Sequence, residues 1–323
     1  MLFPFAPRPN PAEYPAHSMP AETPSHTPSP SPCRVVLLGG DGLLGSAFRQ
    51  AWSGHPAFEL KEFPRAELNL TRPDQIQQTL DRTPFDLLIN AAAYTQVDDA
   101  EVQPDLAMAV NAKAAGSLAE LCAARGARMV HFSTDYVFDG LKTEPYTEAD
   151  TPHPLSTYGR SKAEGEALVA AASPQHLIIR LAWLFGPGRD AFPEWVLHQA
   201  LRHDEIRVVS DKSGTPTYSM DVPRWVQALL SGPASGLVHL VNGPPCSWLE
   251  YAQGVLHAAA ARGWPLRTTE VTPVPLSSLP GLTATRPVQS ALDTSLFTRL
   301  TGIAPRPWTE AMAQHLDSKQ PPA

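Results

Sequence analysis

The chain contains 323 residues, of which 43% are hydrophobic and 18% are charged, and its formal net charge is −7. This length allows one large domain or two modest domains with a buried core. The negative charge argues against a protein that binds the phosphate backbone of nucleic acid, and no apolar run reaches the roughly 20 residues needed to cross a bilayer. We therefore expect a cytoplasmic protein with no nucleic-acid or membrane partner.

The first 32 residues are rich in proline, serine and threonine and follow neither the helical nor the strand period. Because proline lacks a backbone N–H and fixes φ, such a segment favours neither helix nor sheet. Residues 1–32 are predicted to form a disordered tail with no assigned function.

The three cysteines, Cys33, Cys122 and Cys246, form no CxxC pair. The sequence therefore predicts reduced thiols and no metal site or disulfide framework.

The ordered part is predicted to begin at Cys33, where apolar runs typical of buried strands start to alternate with helical patterns. The predicted strands cover residues 34–38, 58–62, 85–90, 128–133 and 176–181, and the predicted helices include residues 44–52, 105–125 and 158–172. Strands that alternate with helices of ten or more residues indicate βαβ units. The expected fold is α/β, with a Rossmann-type doubly wound parallel sheet, and residues 33–184 are predicted to form an NAD(P)-binding domain.

After residue 184 the pattern becomes mixed. Helices are predicted over residues 193–202, 221–230 and 248–261, and short strands over residues 206–209 and 236–241, with loops rich in proline and glycine between them. Residues 185–318 are therefore predicted to form mainly a smaller, mixed α/β substrate-binding lobe, part of which returns to the Rossmann sheet.

A glycine-rich turn follows the first predicted strand. Gly39, Gly42 and Gly45 have a GxxGxxG spacing between that strand and the next predicted helix. Glycine lets the backbone approach a pyrophosphate closely, and the helix N-terminus offers free N–H groups to it. The turn and the start of the helix, including Leu43 and Leu44, are therefore predicted to bind a dinucleotide.

The residues after the second predicted strand bear on the choice of nicotinamide cofactor. NAD sites place an acidic residue there for the ribose 2′-OH, whereas NADP sites place an arginine. Arg65 could make a bidentate contact with a 2′-phosphate, although Glu62 could serve as the acid. The sequence favours NADPH and leaves NADH open.

Tyr158 and Lys162 form a YxxxK pair on the helix that follows the 128–133 strand. Residues four apart share a helix face, and ligand chemistry in open α/β sheets occurs at the carboxyl ends of strands, where Thr134 lies. Hydride delivery to a carbonyl carbon leaves charge on its oxygen, which a phenol can protonate and a hydroxyl can hold. A nearby ammonium is expected to lower the phenol pKa. Thr134, Tyr158 and Lys162 are the predicted catalytic residues.

Several segments resemble the extended short-chain dehydrogenase/reductase family and, within it, the dTDP-4-dehydrorhamnose reductases. The resemblance extends from about residue 34 to about residue 308, and its most specific motif is STDYVFDG at residues 133–140. Supporting motifs are NAAAYT at residues 90–95, RLAWLFG at residues 180–186 and GTPT at residues 214–217.

The resemblance implies a reductase that uses NADPH to convert dTDP-4-dehydro-6-deoxy-L-mannose to dTDP-L-rhamnose, as a monomer or homodimer, with any Mg²⁺ requirement left open. Thr134, Tyr158 and Lys162 would be its catalytic residues. It further implies a sugar pocket formed by Thr95, Val97, Tyr136 and Trp183, an adenine contact at Asn69 and Leu70, and a cofactor contact at Ala91, Ala92 and Ala93.

The chain departs from the family pattern at two positions. An aspartate is usual where Asn69 stands, which weakens the inference of adenine binding. An asparagine is frequent where Ala191 stands, which puts one polar substrate contact, and with it the exact sugar, in doubt.

Two other interpretations remain. A different nucleotide-sugar enzyme is one, since a 4-epimerase uses the same three catalytic groups; a 4,6-dehydratase is disfavoured because Asp135 and Tyr136 follow Thr134 in place of an acidic pair. The other is a non-catalytic nucleotide-binding subunit, similar to the regulatory β subunit of methionine adenosyltransferase. Such a subunit has no chemical need for Thr134, Tyr158 and Lys162, which favours the enzyme.

Overall fold

A six-stranded, fully parallel sheet forms the centre of the fold in the computed structural model, which describes residues 31–279 and 281–321. Except for its last two residues, the predicted tail lies outside these described residues. The strands are β1 (Cys33–Leu38), β2 (Phe58–Phe63), β3 (Leu87–Asn90), β4 (Arg128–Thr134), β5 (Leu177–Leu181), β6 (Leu184–Phe185), β7 (Arg207–Val209), β8 (Ser213–Gly214), β9 (Thr217–Tyr218), β10 (Gly236–His239), β11 (Cys246–Ser247) and β12 (Thr272–Val274).

The strand order in the sheet is β10-β5-β4-β3-β1-β2, and each neighbouring pair is parallel. The inner strands are rich in apolar residues because both of their faces are covered, as is typical of parallel sheets, although β4 also buries His131 and β5 buries Arg180. The remaining strands form two-stranded ladders: β7 with β12, β8 with β11 and β6 with β9.

Helices cover both faces of the sheet. They are α1 (Leu43–Trp52), α2 (Pro73–Asp81), α3 (Val97–Val102), α4 (Pro104–Met108), α5 (Ala114–Ala124), α6 (Thr157–Ala172), α7 (Phe192–Ala200), α8 (Val222–Leu230), α9 (Trp248–Ala260), α10 (Ser295–Thr301) and α11 (Trp308–Asp317). The single helix predicted over residues 105–125 is interrupted by five residues of π-helix, Ala109–Lys113, between α4 and α5.

Two apolar layers sandwich the sheet. On one face, strand residues such as Leu37 and Ile179 pack with Phe48 of α1 and with Trp225 and Val226 of α8. The opposite face belongs to a second cluster, to which Val36, Leu88 and Met129 contribute from the strands and α2, α5 and α6 contribute from the helices. Helices on both faces of a parallel sheet make a doubly wound α/β fold, so the predicted fold class is confirmed.

Residues after β5 are divided between the sheet and a separate apolar cluster. The helix α8 and the edge strand β10 join the sheet, whereas α7, α9 and α11 pack around Phe185, Tyr218 and Tyr251. The buried carboxylate of Glu194 in α7 accepts hydrogen bonds from His315 at 2.7 Å and Lys319 at 2.6 Å, which ties α7 to the C-terminal helix. No helix within residues 31–279 and 281–321 is long and apolar enough to cross a membrane.

Candidate active site

Two adjoining cavities lie at the carboxyl ends of the central strands, where parallel sheets bind their ligands. The first has a volume of about 560 Å³ and the second about 520 Å³. They adjoin because Gly42, Ala91, Ala93 and Arg189 line both. Together the cavities form an elongated site that runs from the turn after β2 to the end of β5.

Nearly every site residue predicted from the sequence lines one of the two cavities. The first is lined by the predicted residues Gly42, Leu43, Leu44, Ala91, Ala93, Thr95, Val97, Thr134, Tyr136, Tyr158, Lys162 and Trp183. The second is lined by the predicted residues Gly39, Gly42, Arg65, Asn69, Leu70, Ala91, Ala92 and Ala93. Of the predicted residues, Gly45 lines neither cavity.

Residues of the glycine turn line both cavities. Gly39 has a φ of +77°, and a Cβ there would lie 2.6 Å from the backbone nitrogen of Ala92. Gly45 has a different role from the cofactor contact predicted for it, because a Cβ at that position would collide with the carbonyl of Gly39. It lets α1 pack tightly on the turn. No side chain among the described residues caps α1, so the first-turn N–H groups of Leu43 and Leu44 remain available to an anion.

The second cavity contains the two polar residues predicted to contact the adenosine part of the cofactor, Arg65 and Asn69. Arg65 lines it and is exposed to solvent, whereas Glu62 does not line it and accepts a hydrogen bond from Arg49 at 2.9 Å. The side-chain oxygen of Asn69 accepts hydrogen bonds from the backbone N–H and the hydroxyl of Thr71. Only the amide nitrogen of Asn69 is therefore left for a base, which weakens the predicted adenine contact.

Tyr158 and Lys162 lie one turn apart on α6, and Thr134 ends β4 beside them. The start of α6 is well fixed, because the Ser156 hydroxyl accepts a hydrogen bond from the Gly159 N–H at 3.1 Å. A hydroxyl, a phenol and an ammonium therefore line one cavity, as the sequence predicted.

Burial has the largest effect on the pKa values of Tyr158 and Lys162. It raises the pKa of Tyr158 to about 12 against the opposing effect of the Thr134 hydroxyl. It lowers the pKa of Lys162 to about 8, and the Lys162 ammonium donates to the backbone carbonyl of Phe132. The phenol pKa therefore lies above its usual value, not below it as the sequence argument expected, because desolvation outweighs any effect of the ammonium.

The buried carboxylate of Asp135 lies next to the Thr134 hydroxyl. The Thr134 hydroxyl donates to the Asp135 carboxylate at 3.0 Å, and the Ser290 hydroxyl donates to the same carboxylate at 2.6 Å. Burial raises the pKa of Asp135, and the charge of Lys212 opposes that rise. Lys212 is itself fully buried, and its Nζ lies 5.4 Å from the centre of the Tyr136 ring. The sequence argument gave Lys212 no role, because it lies 77 residues after Asp135 and no local pattern connects them.

The residues predicted to contact the sugar line the same cavity as Tyr158 and Lys162. The ring of Tyr136 lies edge-on to that of Tyr158, with 5.6 Å between their centroids. Trp183 has a φ of +44°, which is rare for a bulky side chain and is a form of strain concentrated at functional sites. Its indole lies against Gly214, where a Cβ would be 2.6 Å from the ring.

Asn111 is a positioning residue to which the sequence argument gave no role. Its side chain bonds both the N–H and the carbonyl of Tyr94, at 2.8 Å and 3.0 Å, and donates to the Ser161 hydroxyl at 2.9 Å. It therefore links the loop after β3 to α6, next to Lys162. Asn111 lies at the centre of the π-helix, a geometry often found at functional sites.

Within residues 31–279 and 281–321, no group of three or more histidine, cysteine, aspartate or glutamate side chains is arranged to hold a metal ion. Cys33, Cys122 and Cys246 are free thiols.

Comparisons with known proteins identify the family of the chain. The family described as the RmlD substrate binding domain matches residues 33–320. A dTDP-4-dehydrorhamnose reductase from Aggregatibacter actinomycetemcomitans is 34% identical over 285 residues, which cover 86% of this chain and 97% of that relative.

Two solved structures are similar over most of the chain. The dTDP-4-dehydrorhamnose reductase of Clostridium acetobutylicum has a TM-score of 0.83 at 32% identity and covers 88% of this chain and 99% of its own. The Bacillus anthracis dTDP-4-dehydrorhamnose reductase, solved in complex with NADP, also has a TM-score of 0.83, at 31% identity, and covers 89% of this chain and 100% of its own. The chain therefore belongs to the RmlD substrate-binding-domain family of NAD(P)H-dependent oxidoreductases, as its motifs predict.

Proposed function

We propose that this protein reduces the C4 ketone of dTDP-4-dehydro-6-deoxy-L-mannose with NADPH, which gives dTDP-L-rhamnose. One observation carries the proposal: Thr134, Tyr158 and Lys162 line a cavity that adjoins the glycine-turn cavity. A carbonyl reductase requires this arrangement, because a proton donor must lie beside the position of the reacting nicotinamide. The names of the relatives support the choice of substrate.

The residues of both cavities fit a bound dinucleotide. The turn at Gly39 leaves no room for a side chain, and the N-terminus of α1 offers N–H groups to a diphosphate. Arg65, which lines the second cavity, would bind the ribose 2′-phosphate, and the Bacillus anthracis relative was solved with NADP. Bound NADPH would supply the hydride for the reduction.

The chain itself would manage the proton and the charge on the ketone oxygen. With a pKa of about 12, Tyr158 is a protonated phenol near neutral pH and can donate its proton to that oxygen. The Thr134 hydroxyl, which donates to Asp135 in the free protein, would turn to donate a hydrogen bond to the same oxygen. The charge of Lys162 would stabilise the negative charge that develops. Thr95, Val97, Tyr136 and Trp183 would enclose the sugar.

The proposed substrates are cytoplasmic metabolites, so the proposed place of action is the cytoplasm. We expect the enzyme to act as a monomer or homodimer.

The test is a Tyr158→Phe variant, assayed with dTDP-4-dehydro-6-deoxy-L-mannose and NADPH, with and without Mg²⁺. We expect the loss of about 10²- to 10⁴-fold in turnover that follows removal of a general acid, with unchanged NADPH binding. Tyr218→Phe is the matched control, because Tyr218 lines neither cavity. Unchanged turnover in Tyr158→Phe would remove this residue from the mechanism, and a wild-type protein that does not consume the keto sugar would refute the activity.

A further inference from the structure

Arg189 lies where the two cavities meet. It lines both of them, together with Gly42, Ala91 and Ala93. The other three residues belong to the turn after β1 and the loop after β3, so Arg189 is the one ionisable side chain among the lining residues that the cavities share.

The loop that carries Arg189 lies next to the start of α1. Gly188 has a φ of +103°, and a Cβ there would lie 3.5 Å from the Ser46 hydroxyl, in the first helical turns. The N-terminal end of α1 presents the N–H groups of Leu43 and Leu44 to the first cavity. The guanidinium and these N–H groups therefore border the same space from two elements that are far apart in the sequence.

The Arg189 charge is available to a ligand. In the part of the chain that the structure describes, Arg189 forms no ion pair, whereas Arg49, Arg180, Arg286 and Arg306 are all paired with carboxylates. The residue is exposed, so its charge has little desolvation cost in the free protein. An unpaired guanidinium beside a free helix N-terminus is suited to an anion with several oxygens.

We propose that Arg189 binds the diphosphate of the dinucleotide and holds it against the N-terminus of α1. This inference rests on the proposed cofactor. A nucleotide sugar also carries a diphosphate, but the other residues that line both cavities favour the cofactor as the ligand of Arg189. They include Gly42 of the glycine turn, and the cavity on the far side of this junction contains Arg65 and Asn69 at the adenosine end.

The proposal is tested with Arg189→Ala and Arg189→Lys. The dissociation constants of NADPH and NADH are measured by quenching of tryptophan fluorescence, and that of dTDP by titration calorimetry. Arg202→Ala is the matched control, because it also removes one exposed positive charge but lies outside both cavities.

We expect Arg189→Ala to raise the dissociation constants of NADPH and NADH by the same factor, about tenfold, because both carry the diphosphate. Arg189→Lys should recover part of the loss, since it keeps the charge but not the planar fork. Binding of dTDP should be unchanged in both variants, and Arg202→Ala should bind all three ligands like the wild type.

Three results would overturn the proposal. Dinucleotide affinities within about twofold of the wild type would show that Arg189 does not bind the cofactor. A loss confined to dTDP would assign Arg189 to the diphosphate of the substrate, and a loss confined to NADPH would assign it to the 2′-phosphate. A wild-type protein that binds NADPH but does not reduce the keto sugar would contradict the proposed function alone.

Discussion

The guanidinium of Arg49 in α1 donates to the carboxylate of Glu62 at the end of β2, with 2.9 Å between Nε and Oε2. Glu62 is the acidic residue that could have held a ribose 2′-OH, but it lines neither cavity. Arg65, three residues later, lines the second cavity and forms no ion pair within the described residues. The pair between Arg49 and Glu62 thus leaves an unpaired positive charge at the expected 2′-phosphate position.

Replacement of this arginine should change the cofactor preference. We expect Arg65→Ala to lower kcat/KM with NADPH by about tenfold and to leave kcat/KM with NADH nearly unchanged, because only NADPH carries the 2′-phosphate. The measurement is the ratio of the two specificity constants. Arg82→Ala, an exposed arginine outside the cavities, is the control. Equal losses with both cofactors would contradict the assignment.

The pKa of Lys162 predicts the pH dependence of the reaction. Burial lowers this pKa to about 8, so the side chain loses its charge as the pH rises through that value. In the proposed mechanism this charge stabilises the negative charge on the ketone oxygen, so kcat/KM should be level below about pH 8 and fall above it.

The pH profile of kcat/KM reports groups of the free enzyme and is measured between about pH 6 and pH 10. Lys162→Arg keeps its charge over this range, so any residual activity of that variant should show no decline near pH 8. A wild-type profile that rises through pH 8 would exclude a charged Lys162 as the active form.

Gly214 limits the position of the Trp183 indole. A methyl group at Gly214 would lie 2.6 Å from the ring, so Gly214→Ala must displace the indole from its place in the first cavity. We expect KM for the nucleotide sugar to rise roughly ten- to hundredfold, and the dissociation constant of NADPH to stay the same. Steady-state kinetics and a direct NADPH titration measure the two quantities separately.

Gly232→Ala is a suitable control for Gly214→Ala. The nearest atom to its added Cβ would be the Leu229 carbonyl oxygen, at 3.9 Å, so the change should be tolerated. A normal KM for the nucleotide sugar in Gly214→Ala would show that the sugar does not contact Trp183.

Glu194 should make part of the stability depend on pH. Burial by itself raises its pKa, but hydrogen bonds from His315 and Lys319 outweigh this effect and lower the pKa to about 2. A carboxylate with a lowered pKa in the folded state stabilises the protein above its ordinary pKa, near 4.5, and this stabilisation is lost as the pH falls towards 2.

The test compares the free energy of unfolding of the wild type with that of Glu194→Gln, measured by urea unfolding at several pH values. We expect the wild type to be more stable by about 3 kcal/mol at neutral pH, and this difference to shrink below about pH 4.5. Glu205→Gln, an exposed control, should behave like the wild type. A difference that does not change with pH would show that the two hydrogen bonds do not lower the Glu194 pKa.

The sequence predicted the parts of the site that depend on short-range spacing. The turn at Gly39 and Gly42 lies directly between a strand and a helix, and Tyr158 and Lys162 lie four residues apart on one helix. Local sequence patterns were therefore enough to predict both. The phenol pKa was expected in the wrong direction, because its value depends on how many distant segments bury Tyr158.

The missed features depend on contacts between distant segments. Arg189 lines the two cavities only because its loop lies beside α1, and Lys212 approaches Asp135 only after the chain has folded. The π-helix around Asn111 could not be predicted from the spacing of apolar residues, since a π-helix shifts that spacing by a single residue. No bounds were predicted for the helices α2, α3, α10 and α11.

The parallel pairing of β10 with β5 has a consequence for synthesis of the chain on the ribosome. A nascent chain that ends near residue 184 already contains Thr134, Tyr158 and Lys162, but it lacks the strand that covers the edge of β5 and the helix α8 that covers the face shared with α1. Its bare edge and uncovered apolar face would favour association with other chains. A fragment cut after the catalytic residues is therefore a poor choice for expression, because the sheet is complete only when about three quarters of the chain has been made.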